Sequence, residues 1–408
     1  MNTRMNRRSL LKSTGIAAAG LASAAYSPAV WGFAANETIN VGCIGTGGRC
    51  RRLMSRLNEI PGVQITAVCD VWDHHLAEGK KLADEKAAMT KSYHEMLERK
   101  DVDAIVIGSP DHWHVPMTID ACEAGKDVYV EKPLTHDLDE GDRAIFAQRK
   151  TKRIVQVGTQ QRSMPQCQEA LKILESGELG EIYKVHLTWN RNSERFTRPK
   201  YNIDPKTVVW KDFLGNAPDQ PFDEYRFRNW RWFWDFGGGI FTDLMVHWID
   251  VAYWFLKLDN PSMAASIGDQ FRSQGLWETP DTVQTLLRYP KQNVQCYFEG
   301  TFVNARNAAM IEFMGSEATL YIDRGRYEVI PERNSKATKR ELIIGKAPRG
   351  SDFFDEVDGA LMHLQNWVDC IRTRKTPNCP VEEGVRSAAA AHLANQSFRT
   401  GRVANWER

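Results

Sequence analysis

Short apolar, β-branched runs alternate with longer amphipathic stretches along the first part of the chain. Five runs predict strands: Ile39 to Ile44, Val63 to Cys69, Ala104 to Ile107, Val128 to Val130 and Ile154 to Val157. The stretches between them are long enough for helices, as crossover connections in a parallel sheet require. The pattern therefore predicts an α/β fold with a doubly wound parallel sheet over residues 36–158.

The polarity pattern changes after residue 158. Ile182 to Leu187 and Asp281 to Tyr289 alternate apolar and polar positions, which is typical of an antiparallel sheet with one buried face. Helical patterns return after Ser351 and include His363, which we expect in the core or on the surface. The pattern predicts a half-buried antiparallel sheet and C-terminal helices over residues 159–408, which form a second domain.

The N-terminal 35 residues have a different character. Arg7-Arg8 precedes an apolar, alanine-rich run from Ser13 to Ala25, and the segment resembles a twin-arginine export signal. No other stretch approaches the roughly 20 apolar residues that span a bilayer. We therefore expect residues 1–35 to be a signal segment that the twin-arginine translocase reads. The folded protein would be periplasmic or otherwise extracytoplasmic, without stable membrane insertion.

The composition narrows the classes of partner and site. Lys+Arg 53 against Asp+Glu 52 leaves no net charge to attract nucleic acid. Eight cysteines are scattered without a C-x-x-C pair, and folding in a reducing cytoplasm argues against disulfides. No metal site is expected. Thirteen tryptophans, many between Trp189 and Trp254, fit either a core or a carbohydrate cleft.

A glycine turn, Gly45-Thr46-Gly47-Gly48, follows the first predicted strand and opens a helix. Gly45 permits a tight turn, and Gly47 lets backbone N–H groups approach a pyrophosphate. The third position of the G-x-G-x-x-G pattern is Cys50, which is still small enough to keep the helix close to the strand. The turn predicts a dinucleotide site that includes Gly48.

Asp70 ends the second predicted strand. A carboxylate there accepts hydrogen bonds from ribose hydroxyls and repels a 2′-phosphate, which favours NAD over NADP. The alternative is that Asp70 caps the helix that begins near Asp73.

Strand four runs into Glu131-Lys132-Pro133, at the sheet edge where such folds bind ligands. With its neighbours this segment resembles the Gfo/Idh/MocA oxidoreductase family. The matching pieces are the glycine turn, Ser109-Pro110-Asp111-His112-Trp113-His114, Ala124-Gly125-Lys126, Glu131-Lys132-Pro133-Leu134, and Gly237-Gly238-Gly239 with Asp243, His247 and Asp250.

The resemblance implies a Rossmann domain joined to a C-terminal α/β domain with an open, mostly antiparallel sheet. That sheet commonly packs against another subunit, which implies a homo-oligomer. It also implies an active site between the domains, where family members mostly oxidise or reduce a secondary alcohol of a sugar or cyclitol. Lys132 would be a catalytic lysine, and the Ser109 to His114 loop, with Ser109, Pro110 and His114, would lie near the nicotinamide. Glu131 joins the expected cofactor-binding residues.

Asp243, His247 and Asp250 are spaced by four and three residues, which places them on one helix face. A carboxylate on either side of an imidazole can hold one tautomer and tune its pKa. With the family's Asp-x-x-x-His pattern, we expect His247 to be the general base and Asp243 to hold a substrate hydroxyl or to orient the histidine. Lys132 would stabilise the developing alkoxide. Either Lys132 or His247 could be the final proton acceptor.

Three functions compete. The first is an oxidoreductase that acts on a sugar, glycoside or cyclitol and holds its NAD tightly, since little free nucleotide exists outside the inner membrane. The second is an NAD-dependent, redox-neutral glycosidase, against which the presence of Lys132 argues. The third is a non-catalytic carbohydrate-binding protein, which intact Lys132, Asp243 and His247 disfavour.

Overall fold

A computed structural model describes residues 38–344, 349 and 358–406. The predicted signal segment 1–35, with Arg7 and Arg8, lies outside the described residues. Within the described part of the chain, no helix combines the length and the apolar character needed to cross a membrane.

The first sheet has six strands, all parallel, in the order β3-β2-β1-β4-β5-β6. The strands are β1 Ile39–Ile44, β2 Val63–Cys69, β3 Ala88–Thr90, β4 Ala104–Ile107, β5 Asp127–Val130 and β6 Val155–Val157. The helices are α1 Gly48–Leu57, α2 Asp73–Lys80, α3 Tyr93–Leu97, α4 His114–Glu123 and α5 Gly141–Thr151. Every residue of β4 and β5 is buried, because helices cover both faces of a parallel sheet. The predicted doubly wound fold is confirmed.

Among the described residues, the second sheet has nine strands in the order β14-β13-β12-β11-β7-β10-β9-β8-β15, and only the β7–β10 pair is parallel. The strands are β7 Ile182–Asn190, β8 Met263–Asp269, β9 Thr282–Tyr289, β10 Val294–Thr301, β11 Ala309–Gly315, β12 Ala318–Ile322, β13 Arg326–Pro331, β14 Arg340–Ile343 and β15 Ala404–Asn405. The mostly antiparallel sheet is also confirmed.

We call the chain up to residue 158 the first half and the chain after it the second half. The helices of the second half are α6 Pro165–Glu175, α7 Trp210–Leu214, α8 Glu224–Arg228, α9 Val246–Leu256, α10 Gly359–Thr373 and α11 Val381–Thr400. A π-helical turn, Phe241–Met245, leads directly into α9. Along β9 buried and exposed residues alternate, so one face of the sheet packs on the helices and the other lies open.

The last part of the chain closes the edge of the first sheet. The N–H of Val157, in the edge strand β6, donates to the carbonyl of Cys379 at 3.0 Å. Gly384 lies so close to Val157 that a Cβ added there would come within 2.5 Å of Val157 Cγ2. At Gly141 an added Cβ would be 2.4 Å from Val385 Cγ1. Residues 379–385 are therefore part of the first half's packing.

The tryptophan-rich stretch is largely core. Trp189, Trp232 and Trp248 are each at most 3 % exposed and belong to the apolar core of the second half. All eight cysteines are buried and free.

Candidate active site

The glycine turn has the backbone geometry that a dinucleotide site needs. Gly45 has φ +73°, in the left-handed region, and a Cβ there would lie 2.7 Å from the backbone nitrogen of Ser109. A Cβ at Gly48 would meet no described atom within 4 Å, so space lies beside the N-terminus of α1. Cys50 is fully buried, with its Cβ 2.7 Å from where a Cβ on Gly108 would be. A small residue at this third position is thus required by the close approach of α1 to β4.

Asp70 lies at the carboxyl end of β2 and is 6 % exposed. Its Oδ1 accepts a hydrogen bond from the Trp72 N–H at 2.9 Å, and its Oδ2 lies 3.5 Å from His75 Nδ1. The carboxylate therefore braces the turn before α2, but it does not cap the helix directly, since the N-cap residue is Trp72. Asp70 lies beside the glycine turn, because the Gly45 N–H donates to the carbonyl of Cys69 at 2.9 Å.

The loop after β4 joins the glycine turn to the lysine. The hydroxyl of Ser109 is buried and has no partner among the described residues, and Pro110 precedes a short 3-10 turn. His114 is buried, with Nδ1 2.6 Å from the carbonyl of Pro133 and Nε2 3.0 Å from the carbonyl of Ser109. Both nitrogens of the His114 ring therefore contact backbone carbonyls, and the ring links the loop to Pro133.

Glu131 is held by an arginine that the sequence reasoning missed. Arg49, in the first turn of α1, donates from Nε to Glu131 Oε1 at 2.8 Å and from Nη2 to Gln160 Oε1 at 3.1 Å. In the sequence, only the position of Arg49 directly after the glycine turn could have indicated that it belongs to the site. Its ion pair neutralises Glu131 next to Lys132.

Lys132 and Asp243 form the centre of the site. Lys132 Nζ donates to the backbone oxygen of Asp243 at 2.6 Å and to its carboxylate Oδ1 at 3.0 Å. Arg231 Nε lies 3.3 Å from the same Oδ1. Burial opposes ionisation of Asp243, but Lys132 and Arg231 outweigh it and hold the pKa of this carboxyl well below its ordinary value. Asp243 is a carboxylate at neutral pH.

His247 follows one turn later and stacks on Trp189, with ring centroids 4.8 Å apart. Its Nδ1 is buried without a partner in the described part of the chain. Burial first, and then the positive charges of Lys132 and Arg324, lower the pKa of the imidazole well below its ordinary value. With its pKa lowered in this way, the His247 ring is neutral at pH 7.

Asp250 does not flank His247 as the spacing suggested. Its carboxylate receives two hydrogen bonds from Arg162, from Nε at 2.8 Å and from Nη2 at 3.0 Å. Arg162 also lies 3.1 Å from Glu383 of α11, and both partners of the Asp250 pair are buried. The buried guanidinium draws the carboxylate away, so no carboxylate fixes the His247 tautomer from this side. His363 is likewise structural, with Ser163 Oγ 2.6 Å from Nδ1 and the Val157 carbonyl 2.8 Å from Nε2.

Asp111 is a second carboxyl at the site that the sequence reasoning did not assign. It is 4 % exposed, and its Oδ2 accepts from Thr242 Oγ1 at 3.4 Å. Burial raises its pKa to about 7, although Lys132 and Arg231 act in the opposite direction. Its place within the Ser109 to His114 motif was the only sequence signal.

These residues fit an NAD molecule. The open space at Gly48, the N-terminus of α1 and the unpartnered Ser109 hydroxyl offer room and donors for a pyrophosphate, and Asp70 offers acceptors for a ribose. Among residues 38–344, 349 and 358–406, no group of three or more His, Cys, Asp or Glu side chains could hold a metal ion.

Comparison with known proteins agrees with this geometry. Residues 39–159 match the model of the oxidoreductase family with an NAD-binding Rossmann fold, and residues 172–405 match the C-terminal alpha/beta domain of the same family. The chain belongs to the Gfo/Idh/MocA family. It is an NAD-binding oxidoreductase.

Individual relatives are more distant. The scyllo-inositol 2-dehydrogenase (NAD(+)) of Bacillus subtilis is 23% identical over 351 residues, which cover 85% of this chain and 89% of that protein. A glycosyl hydrolase family 109 protein of Shewanella pealeana is 27% identical over 241 residues, 52% of this chain and 51% of that protein. A levoglucosan dehydrogenase in complex with NADH and levoglucosan has a similar structure, with TM-score 0.71 at 18% identity, covering 91% of this chain and 100% of the other.

Proposed function

We propose that the protein oxidises a secondary alcohol of a sugar, glycoside or cyclitol and that it holds its NAD tightly. The observation that carries this proposal is the contact between Lys132 and Asp243, with the neutral ring of His247 one turn away. Relatives named as inositol and levoglucosan dehydrogenases support the substrate class.

Each side chain has a role in this reaction. Nicotinamide, when bound, supplies the hydride acceptor. The substrate hydroxyl would take a place beside Lys132, whose ammonium donates to the oxygen and stabilises the alkoxide as the proton leaves. The neutral imidazole of His247 would receive that proton, while the hydride leaves the same carbon and a carbonyl forms. Asp243, held as a carboxylate, would accept a hydrogen bond from a neighbouring hydroxyl.

Bound nucleotide and sugar-dependent reduction together test the proposal. Mass spectrometry of the denatured, purified protein should detect NAD. A panel of sugars and cyclitols should then raise the absorbance of reduced nicotinamide in the wild type, but not in Lys132→Ala. A protein that contains NAD and responds to no polyol would refute the assignment.

A redox-neutral glycosidase is the second candidate, and the match to glycosyl hydrolase family 109 proteins favours it. In that reaction a transient ketone would acidify the adjacent C–H, and loss of that proton with elimination of the protonated aglycone would leave an enone. Water would then add to the enone, and the hydride would return from the reduced nicotinamide to the ring carbonyl. Release of the aglycone from an aryl glycoside, with no net change in nicotinamide absorbance, would favour this candidate over the dehydrogenase.

We also propose that the chain is exported folded by the twin-arginine translocase to the periplasm and that the nucleotide leaves the cytoplasm with it. The support is Arg7-Arg8 upstream of a dinucleotide turn. Arg7→Lys with Arg8→Lys should leave the protein in the cytoplasm, whereas wild-type periplasmic protein should be active without added NAD. Periplasmic protein that lacks nucleotide would rule out cofactor retention during export.

A homo-oligomer formed through the open face of the nine-stranded sheet completes the proposal. Ile267 and Leu286 are 71% and 52% exposed on strands β8 and β9. Light scattering of the wild type and of Ile267→Lys with Leu286→Lys tests this, since the substituted protein should be monomeric.

A further inference from the structure

A segment of the second half contacts the loop that follows Asp70. The N–H of Val209 donates to the carbonyl of Val71 at 2.9 Å, and Val208 forms an isolated antiparallel bridge with Trp72. We call residues 208–228, which include α7 and α8, the strap. These backbone contacts hold the strap within two residues of Asp70, whose carboxylate is expected to bind the ribose.

Side chains at the end of the strap reinforce this contact. Arg228 Nη1 lies 2.8 Å from His75 Nε2. The Arg228 guanidinium lies over the Trp72 ring, with Cζ 5.3 Å from the ring centroid. The rings of Phe227 and Trp72 pack edge to face, with their centroids 5.6 Å apart. The His75 ring in turn lies 3.5 Å from Asp70 Oδ2. Arg228 therefore connects the strap, through one imidazole, to the expected ribose site.

The middle of the strap contacts the loop after β4. The carbonyl of Phe213 accepts from Trp113 Nε1 at 2.9 Å and lies 2.8 Å from His112 Nε2. Gly215 lies against the Trp113 ring so closely that a Cβ would be 2.5 Å from Cζ2. The left-handed φ of +57° at Gly215 lets the backbone make this approach.

The strap thus touches the loops after β2 and after β4. These two strands flank β1 in the sheet, and β1 ends in the glycine turn. Ligands in a doubly wound fold bind at the carboxyl ends of the strands, in the crevice at this position. The strap crosses this edge from the loop beside Asp70, where the adenosine ribose is expected, to the loop that contains Trp113.

We propose that the strap forms the outer wall of the adenosine end of the cofactor site and slows release of the bound dinucleotide. The family match assigns NAD binding to residues 39–159, whereas this wall comes from the second half. The inference rests on the proposed function, because it supplies the physical means by which NAD is held tightly. Release of the nucleotide requires the strap to separate from Val71 or from Trp113.

Val209→Pro removes the anchoring donor with little strain. Val209 has φ −82°, which proline accepts, and Val208 has φ −116° and ψ 128°, the extended conformation preferred before proline. Val209→Ala is the matched control, since it trims the side chain but keeps the N–H. Arg228→Ala removes an exposed side chain at the other anchor, and Lys211→Ala is its control on the exposed surface of the strap.

The measurement is the dissociation rate of NADH. Each protein is loaded with NADH and chased with excess NAD, and the loss of energy transfer from tryptophan to reduced nicotinamide is followed. Val209→Pro and Arg228→Ala should each release NADH about three- to tenfold faster than the wild type, the effect of one lost hydrogen bond. Val209→Ala and Lys211→Ala should match the wild type.

The outcomes separate this inference from the proposed function. Unchanged NADH dissociation in folded Val209→Pro and Arg228→Ala would overturn the role of the strap and leave sugar oxidation standing. Failure of every sugar to reduce bound NAD would refute the proposed function, while the dissociation rates would still decide on the strap. If Val209→Pro does not fold, Arg228→Ala decides alone.

Discussion

Lys132 and Asp243, which are 111 residues apart in the chain, are joined by two hydrogen bonds of 2.6 Å and 3.0 Å from one ammonium group. The first acceptor is a backbone oxygen in a π-helical turn, and the second is the side chain of the same residue. Because both acceptors belong to the second half of the chain, the reach of the lysine toward a substrate depends on how that turn is formed. The site exists only when both halves are folded.

Removing either Lys132 or His247 should abolish most turnover. Lys132→Ala and His247→Ala should each lower kcat by about two to four orders of magnitude, the usual range for a positioned acid or base. NAD should remain bound, because the glycine turn is unchanged. Single-turnover reduction of bound nicotinamide measures the effect, and near-wild-type turnover in His247→Ala would remove this residue from the mechanism.

Asp70 should decide between the two nicotinamide cofactors. Asp70→Ser should weaken NAD binding by about ten- to hundredfold, as expected for hydrogen bonds to a charged group. The gap to NADP should narrow, since the repulsion of a 2′-phosphate is lost. Titration of the apoprotein with each nucleotide measures both affinities. Wild-type protein that copurifies with NADP alone would contradict the assignment.

Asp250 should matter for stability and not for proton transfer. Asp250→Asn leaves Arg162 with Glu383 as its remaining acidic partner, and breaking a buried ion pair costs about 3 kcal/mol of unfolding free energy. Urea denaturation measures this loss. The pH profile of turnover per folded molecule should be unchanged, whereas a shifted profile would show that Asp250 acts on His247.

Asp111 should make the protein less stable as pH rises toward neutrality. Its folded-state pKa is about 7, raised by burial above the unfolded value, so the folded protein binds the proton more tightly. As pH rises, the unfolded chain releases this proton at a lower pH than the folded protein does. The unfolding free energy that the protonated carboxyl contributes is therefore lost between about pH 4 and pH 7. Asp111→Asn should therefore be more stable than the wild type at pH 8 and comparable at pH 4. Denaturation curves at the two pH values check the sign, and a variant less stable at pH 8 would contradict it.

Much of the first sheet could be predicted because fully buried parallel strands are continuous apolar runs. The bounds of β1, β2 and β4 agree with the prediction. Strand β3, Ala88–Thr90, was missed, since three residues with no fully buried position carry no such run. The second sheet was predicted differently, from alternating apolar and polar positions and from the resemblance to the family.

The site was less predictable, because tertiary contacts decide which groups each of its side chains meets. The spacing of Asp243, His247 and Asp250 correctly indicates a helical segment, but periodicity does not reveal the π turn or the pull of Arg162 on Asp250. The low pKa of His247 depends on burial and on Lys132 and Arg324, which no local pattern brings together. The expected roles of Lys132, His247, Asp243 and Asp70 remain predictions for the experiments above.

The edge of the first sheet is completed by residues 379–385, close to the end of the chain. A ribosome must therefore synthesise the chain beyond residue 379 before the edge strand β6 finds its final partner. Until then the N–H of Val157 has no acceptor and the side of Gly141 is uncovered, so a truncated chain carries an incomplete nucleotide-binding half. The nucleotide-binding half therefore completes its packing only after the second half has been synthesised.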